Sequence, residues 1–464
     1  MFIGREKEMG TLNRHYASDA FEFVTIYGRR RVGKTTLIKE FCRDKKTIMF
    51  PAMETNAKNN MISLSAAVFA CTDPGRTFPA FDSFQQALDH IAELAGRERI
   101  VFVIDEFPYL AEADRSVSSV LQNTIDHKFK DTKLMLILCG SSMRFMEKQV
   151  LGYDSPLYGR RTAQIKVLPF RYYVAAEWFP SYTPEDRMLT FAVLGGVPMY
   201  LEKFSDKKSV HRNILDSVMS TDAVLFEETS NLMKQELREP QNYSAIITAI
   251  ASGRTKLNEI SSAVGMEAGL LVKYLDNLIS LGIVRKERPL LTDSNKKTVY
   301  LIADHFFRFW YRFVPQNMAA IVSDRMPDIF DAAVKTHLPE YMGIAFEDIC
   351  KEFLMTRAGD LPFVVSRIGQ WWGGDPVTKT RMQMDIVALS PDGTEIIAGS
   401  CKCRNEPASL SVLNELKAAV TAAGVKFRNI YYYIFSKGGF SSSLTDVAKA
   451  DPFVRLIPLD ELYR

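Results

Sequence analysis

The chain has 464 residues, of which 47% are hydrophobic and 24% charged, and its formal net charge is +3. This length predicts about two to four domains, and the composition excludes a fibrous, low-complexity or largely disordered protein. The small net charge does not indicate nucleic acid by itself, so only local basic patches bear on that question.

The N-terminus and the apolar segments show no sign of export or of a membrane span. The first ten residues, MFIGREKEMG, are charged within five residues, and the longest apolar run, LMLILC at residues 134–139, is much shorter than a bilayer requires. The six cysteines are scattered and form no zinc-binding pattern. We therefore expect a cytoplasmic protein with reduced thiols and no contact with a membrane.

Residues 21–41, FEFVTIYGRRRVGKTTLIKEF, combine a strand-like run, a glycine-bounded loop and a helical pattern. The loop, residues 28–35, fits G-x-x-x-x-G-K-T, in which backbone N–H groups surround phosphate and the next helix offers its positive end. Lys34 is expected to reach the β and γ phosphates of ATP, and Thr35 to offer its hydroxyl to Mg²⁺. The residues assigned to nucleotide binding by this motif are Gly28, Arg31, Val32, Gly33, Lys34, Thr35 and Thr36.

The apolar strand in RIVFVIDEFPYL, residues 99–110, ends in two acids. Hydrolysis of a nucleotide requires an acid that orients the metal and a residue that positions water. We expect Asp105 to hold Mg²⁺ through its water shell and Glu106 to polarise the attacking water. The alternative is that the two acids cap the next helix, but the P-loop upstream favours an ATPase.

Two further polar pairs follow in KLMLILCGSSMRFME and SPLYGRRTAQIK. Ser141 and Ser142 end a strand-like run, where a hydroxyl either senses the γ phosphate or caps a helix. Arg160 and Arg161 precede a fifth strand-like segment, where an arginine either neutralises transition-state charge in a neighbouring subunit or is merely solvated. The first role for an arginine would make the protein a homo-oligomer, and the sequence leaves these alternatives open.

The motifs FIGREKEM, GRRRVGKTT, VIDEFPYL, GSS, SPLYGRRT and GGVPMY occur in this order. Over roughly residues 2–230 the chain resembles the archaeal-type AAA+ ATPases, relatives of the signal-transduction ATPases with numerous domains (STAND). The resemblance implies that Gly4 and Arg5 lie against the adenine, and that Pro198 contacts the nucleotide from a helical lid. Strand-like runs alternating with helical patterns independently predict a parallel sheet with flanking helices.

The apolar spacing of residues 242–284 predicts three helices, and RKERPLLTDSNKKTVYLI after them resembles a two-stranded wing. This is the order of a winged helix-turn-helix. The third helix offers only Lys273 to DNA, although the wing is basic. The cations of the wing are Arg285, Lys286, Arg288, Lys296 and Lys297. A structural or regulatory role is therefore favoured, while double-stranded DNA and a protein both stay open as partners.

The last quarter of the chain resembles the PD-(D/E)XK nuclease fold and an uncharacterised domain commonly attached to these ATPases. A nuclease of this kind needs two acids that hold metal ions and a lysine that orients water. Glu347, Asp385 and Lys402 match that pattern, but Gln383 and Ser400 stand where the related domain has glutamates. Because a serine hydroxyl is a weak ligand for a hard cation, we predict a degenerate site that binds nucleic acid or protein rather than cutting.

These motifs together predict an α/β protein with several domains. They are a P-loop ATPase core (1–170) with a parallel sheet, a helical lid (171–235), a winged helix (236–305), connecting helices (306–340) and an α/β restriction-endonuclease-like domain (341–464). The leading hypothesis is a molecular switch driven by Mg²⁺ and ATP. The alternatives are an ATP-gated, metal-dependent DNA nuclease and a nucleotide-binding scaffold for a protein partner.

Overall fold

The computed structural model describes residues 2–72, 75, 79–292, 297–356, 361–374 and 380–464. The chain separates into two compact units. The first is Met1–Phe170 with Val197–Met199, and the second is Arg171–Gly196 with Tyr200–Arg464. Within the described ranges, no helix is both long and apolar enough to cross a membrane.

A parallel sheet forms the centre of the first unit. Its strands are β1 (Glu22–Tyr27), β2 (Thr47–Pro51), β3 (Ile100–Asp105), β4 (Leu134–Gly140) and β5 (Ala163–Lys166). They are hydrogen-bonded in the order β2-β3-β4-β1-β5. Every residue of β1, β3 and β4 is buried, as expected for a parallel sheet that is covered on both faces. The loops that follow these three strands therefore meet at one edge of the sheet.

Helices cover both faces of this sheet. They are α1 (Glu6–Tyr16), α2 (Lys34–Cys42), α3 (Ala57–Thr72), α4 (Phe84–Arg97), α5 (Phe107–Ala113), α6 (Val117–His127) and α7 (Met143–Phe145), with a 3₁₀ turn at Phe129–Asp131 and a π-helical turn at Met146–Val150. Successive residues of β1 enter different apolar cores, because side chains alternate between the faces of a strand. Phe23 packs in the core that includes α3 to α6, and Val24 packs in the core that includes α1 and α2.

The second unit begins with helices and one hairpin. They are α8 (Tyr172–Ala176), α9 (Pro184–Leu194), α10 (Pro198–Leu201), which starts in the segment grouped with the first unit, α11 (Val210–Ser217), α12 (Glu228–Glu236), α13 (Pro240–Ala251), α14 (Leu257–Val264), α15 (Ala268–Ser280) and the antiparallel strands β6 (Val284–Glu287) and β7 (Val299–Ile302). Three helices thus precede a two-stranded hairpin between residues 240 and 302.

Further helices lead to a separate C-terminal sheet. The helices are α16 (His305–Phe313), α17 (Met318–Val322), α18 (Met326–Ala333) and α19 (Leu338–Thr356). The sheet contains β8 (Arg367–Gly374), β9 (Arg381–Leu389), β10 (Glu395–Lys402), β11 (Asn429–Ser436) and β12 (Val454–Pro458), with α20 (Leu410–Ala422), α21 (Ser442–Ala450) and α22 (Leu459–Leu462). Its order is β12-β11-β10-β9-β8, and β8 lies at an edge. Strands β10 to β12 run parallel, whereas β8 and β9 are antiparallel to their neighbours.

Candidate nucleotide site and C-terminal cavity

The loop between β1 and α2 depends on its glycines. Gly33 has a φ of 89°, in the left-handed region where glycine carries no penalty. A Cβ atom added at Gly28 would lie 2.3 Å from the carbonyl oxygen of Val167, so no side chain fits there. Lys34 is buried, and its Nζ donates to the carbonyl oxygen of Gly28 at 2.8 Å. The side chain of Lys34 therefore extends from the position after Gly33 back to Gly28, across the loop.

The two acids after β3 lie beside this loop. The hydroxyl of Thr35 donates to Oδ2 of Asp105 at 2.8 Å. The backbone N–H of Glu106 donates to Oδ1 of Asp105 at 3.1 Å. Glu106 adopts a φ of 53° and makes no side-chain capping bond to α5. The capping alternative therefore does not apply to Glu106, and the pair of oxygens on Thr35 and Asp105 is of the hard type that Mg²⁺ prefers.

Ser141 connects Glu106 to the next strand of the sheet. Its backbone N–H and its hydroxyl both donate to Oε2 of Glu106, at 3.0 and 2.8 Å. Ser142 occupies the N-cap position of α7 without a side-chain capping bond. The structure thus places Thr35 beside Asp105 at the end of β3, and Glu106 beside Ser141, which follows β4.

Arg5 supports the P-loop from outside the motif. Gly4 and Arg5 both have positive φ, 67° and 75°. The Arg5 guanidinium donates to the carbonyl oxygen of Val32 at 2.8 Å and lies 4.3 Å from the ring centroid of Phe170. Burial lowers the pKa of Arg5 from its ordinary value. This arginine therefore braces the loop backbone, a contact that the resemblance to a family did not indicate.

The segment with Pro198 also lies against the loop. A Cβ atom at Gly33 would meet Cγ of Pro198 at 3.6 Å, and Val197–Met199 groups with the first unit. Arg31 adopts a left-handed φ of 72°, and Thr36 is exposed in the first turn of α2. All the residues assigned to nucleotide by the motif thus lie in one stretch of loop and helix start, with Pro198 beside it.

A contact that sequence reasoning missed joins the P-loop to α5. The guanidinium of Arg30 donates to the hydroxyl of Tyr109 at 2.7 Å. Tyr109 follows Glu106 by three residues, which places both on neighbouring positions of the same helix start. This spacing of three residues was the only feature of the sequence that bore on the contact. It gave no reason to choose Arg30 among three consecutive arginines.

The two arginines before β5 differ in their surroundings. Arg160 forms an ion pair with Asp126, with Nη2 2.6 Å from Oδ2, and it also donates to the carbonyl oxygen of Pro156 at 2.8 Å. This guanidinium lowers the pKa of Asp126 to about 2. Arg161 donates to the carbonyl oxygen of Leu151 at a longer 3.3 Å. Arg160 is therefore not the merely solvated residue that one alternative described.

Asp385, Ser400 and Lys402, with Gln383, line one cavity of about 530 Å³ in the C-terminal sheet. Antiparallel pairing of β9 with β10 aligns Ile386 with Gly399, so Asp385 and Ser400 fall opposite each other on one face of the sheet. The structure thus brings Asp385, Ser400 and Lys402 together on a single surface with Gln383.

Glu347 does not share the hydrogen bonds of that group. Its Oε2 accepts from the side-chain amide of Gln370 at 2.5 Å. Burial, and then the nearby carboxylate of Asp385, raise its pKa to about 7. Within the described part of the chain, no group of three or more His, Cys, Asp or Glu side chains is arranged to hold a metal ion. The donor set here does not fit the metal centre of a nuclease.

The prediction that Arg285 adds to a basic surface on the wing is wrong. Arg285 is paired with Asp348 of α19, at 3.0 Å from both carboxylate oxygens, and with Glu287 at 2.7 Å. Its charge is therefore used inside the protein, because two carboxylates surround it, and it cannot contribute to a DNA-binding surface. Lys296 lies outside the described residues.

Comparisons with known proteins identify an ATPase domain in the part of the chain that contains the first unit. Residues 2–204 match a family described as an ATPase domain predominantly from Archaea, and residues 310–419 match one described as archaeal and bacterial proteins of unknown function. The uncharacterized protein MJECL04 of Methanocaldococcus jannaschii is 34% identical over 397 residues, covering 84% of each chain. The uncharacterized ATP-binding protein MJ0423 of the same organism is 46% identical over 46 residues, 10% of this chain and 78% of that protein.

One solved structure shows the fold. The Walker-type ATPase PABY2304 of Pyrococcus abyssi superposes with a TM-score of 0.51 and 18% identity, covering 67% of this chain and 96% of that one. The family match at residues 2–204 confirms the expected resemblance to archaeal ATPases, while the resemblance to nucleases stays a prediction. With a relative 34% identical across 84% of its length and an ATPase domain at residues 2–204, the chain belongs to the archaeal-type P-loop ATPases.

Proposed function

We propose that the protein is a molecular switch that binds ATP with Mg²⁺ at residues 28–35 and hydrolyses the γ phosphate. The observation that carries this proposal is the continuous set of contacts at one edge of the sheet. Thr35 donates to Asp105 at 2.8 Å, and Ser141 donates to Glu106 at 2.8 Å. Loop, acids and neighbouring strand are thus pre-arranged around the place where the phosphates would lie.

Each side chain has a distinct task in this scheme. Lys34 exchanges its backbone acceptors for the β and γ phosphate oxygens, since its Nζ already spans the loop. Thr35 and Asp105 provide the oxygens that would hold Mg²⁺, which neutralises phosphate charge when it is bound. Glu106 accepts a proton from, or orients, the attacking water, and Ser141 keeps its carboxylate in position.

Nucleotide recognition outside the phosphates falls to the flanking segments. Arg5 holds the carbonyl of Val32, so loss of this brace would loosen the loop that surrounds phosphate. Pro198 lies beside Gly33 of the loop and would report the occupancy of the site to the rest of α10. Arg161 is the better candidate to reach a neighbouring subunit, because Arg160 is committed to Asp126.

The remaining domains would respond to the nucleotide. We assign residues 236–305 to a winged helix and residues 341–464 to a nuclease-like domain that does not cut. In the wing, Lys286, Arg288 and Lys297 are exposed, which keeps a weak contact with double-stranded DNA among the outcomes to be tested. A protein partner is favoured, because Arg285 is withdrawn from that basic surface.

The test is steady-state ATP hydrolysis by the full chain, with and without titrated double-stranded DNA. Lys34→Ala is expected to abolish nucleotide binding, and Glu106→Gln to bind ATP while losing turnover by about 100-fold or more. Equal turnover in wild type and both variants would refute the assignment of the site. Stimulation by DNA identifies DNA as the partner, and turnover that DNA leaves unchanged directs the search to a protein captured with the Glu106→Gln variant.

A further inference from the structure

Strands β6 and β7, with the described residues between them (288–292 and 297–298), are here called the wing hairpin. This hairpin is attached to the C-terminal sheet. The backbone N–H of Leu290 donates to the carbonyl oxygen of Gln370 at 2.7 Å. Gln370 lies in β8, an edge strand, whose outward backbone groups would otherwise be open to other chains. The hairpin therefore covers part of an edge that needs protection.

Apolar packing reinforces this attachment. Leu290 and Leu291 pack against a buried cluster of the C-terminal sheet that includes Trp371 and Met384. A Cβ atom at Gly369 would lie 3.0 Å from Cγ of Leu290, so the leucine closely approaches the strand backbone.

Two links run from the wing hairpin to adjacent residues of α19. Gln370, whose carbonyl accepts from Leu290, donates its side-chain amide to Glu347. Arg285, in β6, forms its ion pair with Asp348. Because these acids are consecutive in one helix, a movement of the hairpin changes the surroundings of both.

The second acid of the nuclease pattern is also occupied by protein groups. Oδ2 of Asp385 accepts the backbone N–H of Cys401 at 2.8 Å and the hydroxyl of Ser400 at 3.3 Å. Oδ1 accepts the side-chain amide of Gln383 at 3.1 Å. Three donors thus satisfy this carboxylate where a nuclease would use a cation, and two of them come from the positions that have lost glutamates.

We propose that the wing hairpin is a built-in partner of the C-terminal domain, docked on β8, and that the acids of the nuclease pattern, Glu347 and Asp385, bind protein donors instead of a metal ion. Gln370 is a positioning residue, because it connects the docked hairpin to Glu347. Asp385 joins β9 to β10 through its protein donors. The proposal concerns contacts within the C-terminal half and does not depend on ATP hydrolysis.

Hydrogen exchange measured by mass spectrometry on the full chain tests the docking. Leu290→Asp places a charge in the apolar contact and is expected to speed exchange in residues 367–374 at least about tenfold. The matched control is Lys286→Asp, on the exposed side of the same hairpin, which should leave those amides unchanged. Unchanged exchange in Leu290→Asp, or equal acceleration in both variants, overturns the proposal.

Manganese binding tests the other half of the proposal. The Lys34→Ala chain without nucleotide, titrated with Mn²⁺ and followed by electron paramagnetic resonance, should show no binding that is lost on Asp385→Asn. Adding Ser400→Glu should create a Mn²⁺ site, and Asp385→Asn should remove it again. Binding that depends on Asp385 without the added glutamate overturns the proposal. Turnover of ATP, measured on the same wild-type preparation, reports separately on the proposed switch.

Discussion

Ser141 donates two hydrogen bonds to a single carboxylate oxygen of Glu106, at 3.0 and 2.8 Å. Glu106 is held in a left-handed backbone conformation, φ 53°, which a non-glycine residue adopts at a cost of about 1 kcal/mol or more. The surroundings must therefore keep it there, and Ser141 is the residue of the adjacent strand end that does so. The orientation of the Glu106 carboxylate thus depends on a second strand of the sheet.

Replacing Ser141 by alanine should lower kcat about tenfold and leave KM within about twofold. The hydroxyl is removed while the backbone N–H remains, so Glu106 keeps one donor and loses its rigid position. Steady-state hydrolysis over a range of ATP concentrations measures both constants. Ser142→Ala is the matched control, since Ser142 makes no capping bond. An unchanged kcat in Ser141→Ala would show that this pair of hydrogen bonds has no part in catalysis.

Replacing Arg5 by alanine should weaken ATP binding about five- to tenfold. The change removes the hydrogen bond to Val32, which braces the loop at residues 28–35, and the contact that holds Arg5 against the ring of Phe170. Titration of a fluorescent ATP analogue measures the affinity. Lys7→Ala, an exposed neighbour in α1, should bind as wild type does. Equal affinity in the two variants would restrict Arg5 to packing.

Replacing Arg160 and replacing Arg161 should have different effects on the stability of the protein. Arg160→Ala breaks a partly exposed pair with Asp126 and should reduce the free energy of unfolding by about 0.5–1 kcal/mol at neutral pH. The pKa of Asp126 is lowered to about 2 in the folded protein. The pair therefore stabilises fully above the unfolded pKa of about 3.9, and its contribution is lost as the pH falls toward 2.

Arg161→Ala serves as the comparison for Arg160→Ala. Its unfolding free energy should stay within about 0.5 kcal/mol of wild type, because its hydrogen bond is long and single. Urea unfolding of both variants measures their free energies of unfolding, and ATP turnover is measured on the same preparations. A larger loss of stability in Arg161→Ala than in Arg160→Ala would reverse the roles assigned to them.

Glu347 should make the stability of the protein depend on pH. Its folded pKa is raised to about 7, whereas an unfolded glutamate titrates near about 4.3. The folded chain holds the extra proton between these values, so stability falls as the pH rises from about 4.3 to 7 and stays lower above that range.

Glu347→Gln should remove this dependence. The amide oxygen still accepts from Gln370 but carries no charge, so the variant should exceed wild type by about 1–3 kcal/mol at about pH 8 and match it near about pH 4. Urea unfolding at both pH values measures the difference. Glu340→Gln, exposed on the same helix, should show no such trend. A constant difference between Glu347→Gln and wild type at the two pH values would contradict a raised pKa.

Much of the first unit followed directly from local pattern. The run FEFVTIYGRRRVGKTT predicted strand, loop and helix because apolar residues, glycines and the lysine fall at positions that local backbone geometry dictates. The same reasoning placed Asp105 and Glu106 at a strand end, where β3 ends at Asp105. Parallel strands bring such ends together, so their proximity to Thr35 was predictable without coordinates.

What the sequence determined by itself is therefore the ATPase core and the residues of its loop, since these depend on short-range spacing. The tertiary structure alone decided the contacts between distant segments. In the folded chain Ser141 donates to Glu106, and Arg160 forms an ion pair with Asp126. Arg285 forms an ion pair with Asp348, and Leu290 donates to a carbonyl of β8. A single chain carries many arginines and leucines in similar local patterns. Only packing in three dimensions selects which of them form contacts, because the residues in each contact are far apart along the chain and no periodic pattern relates them.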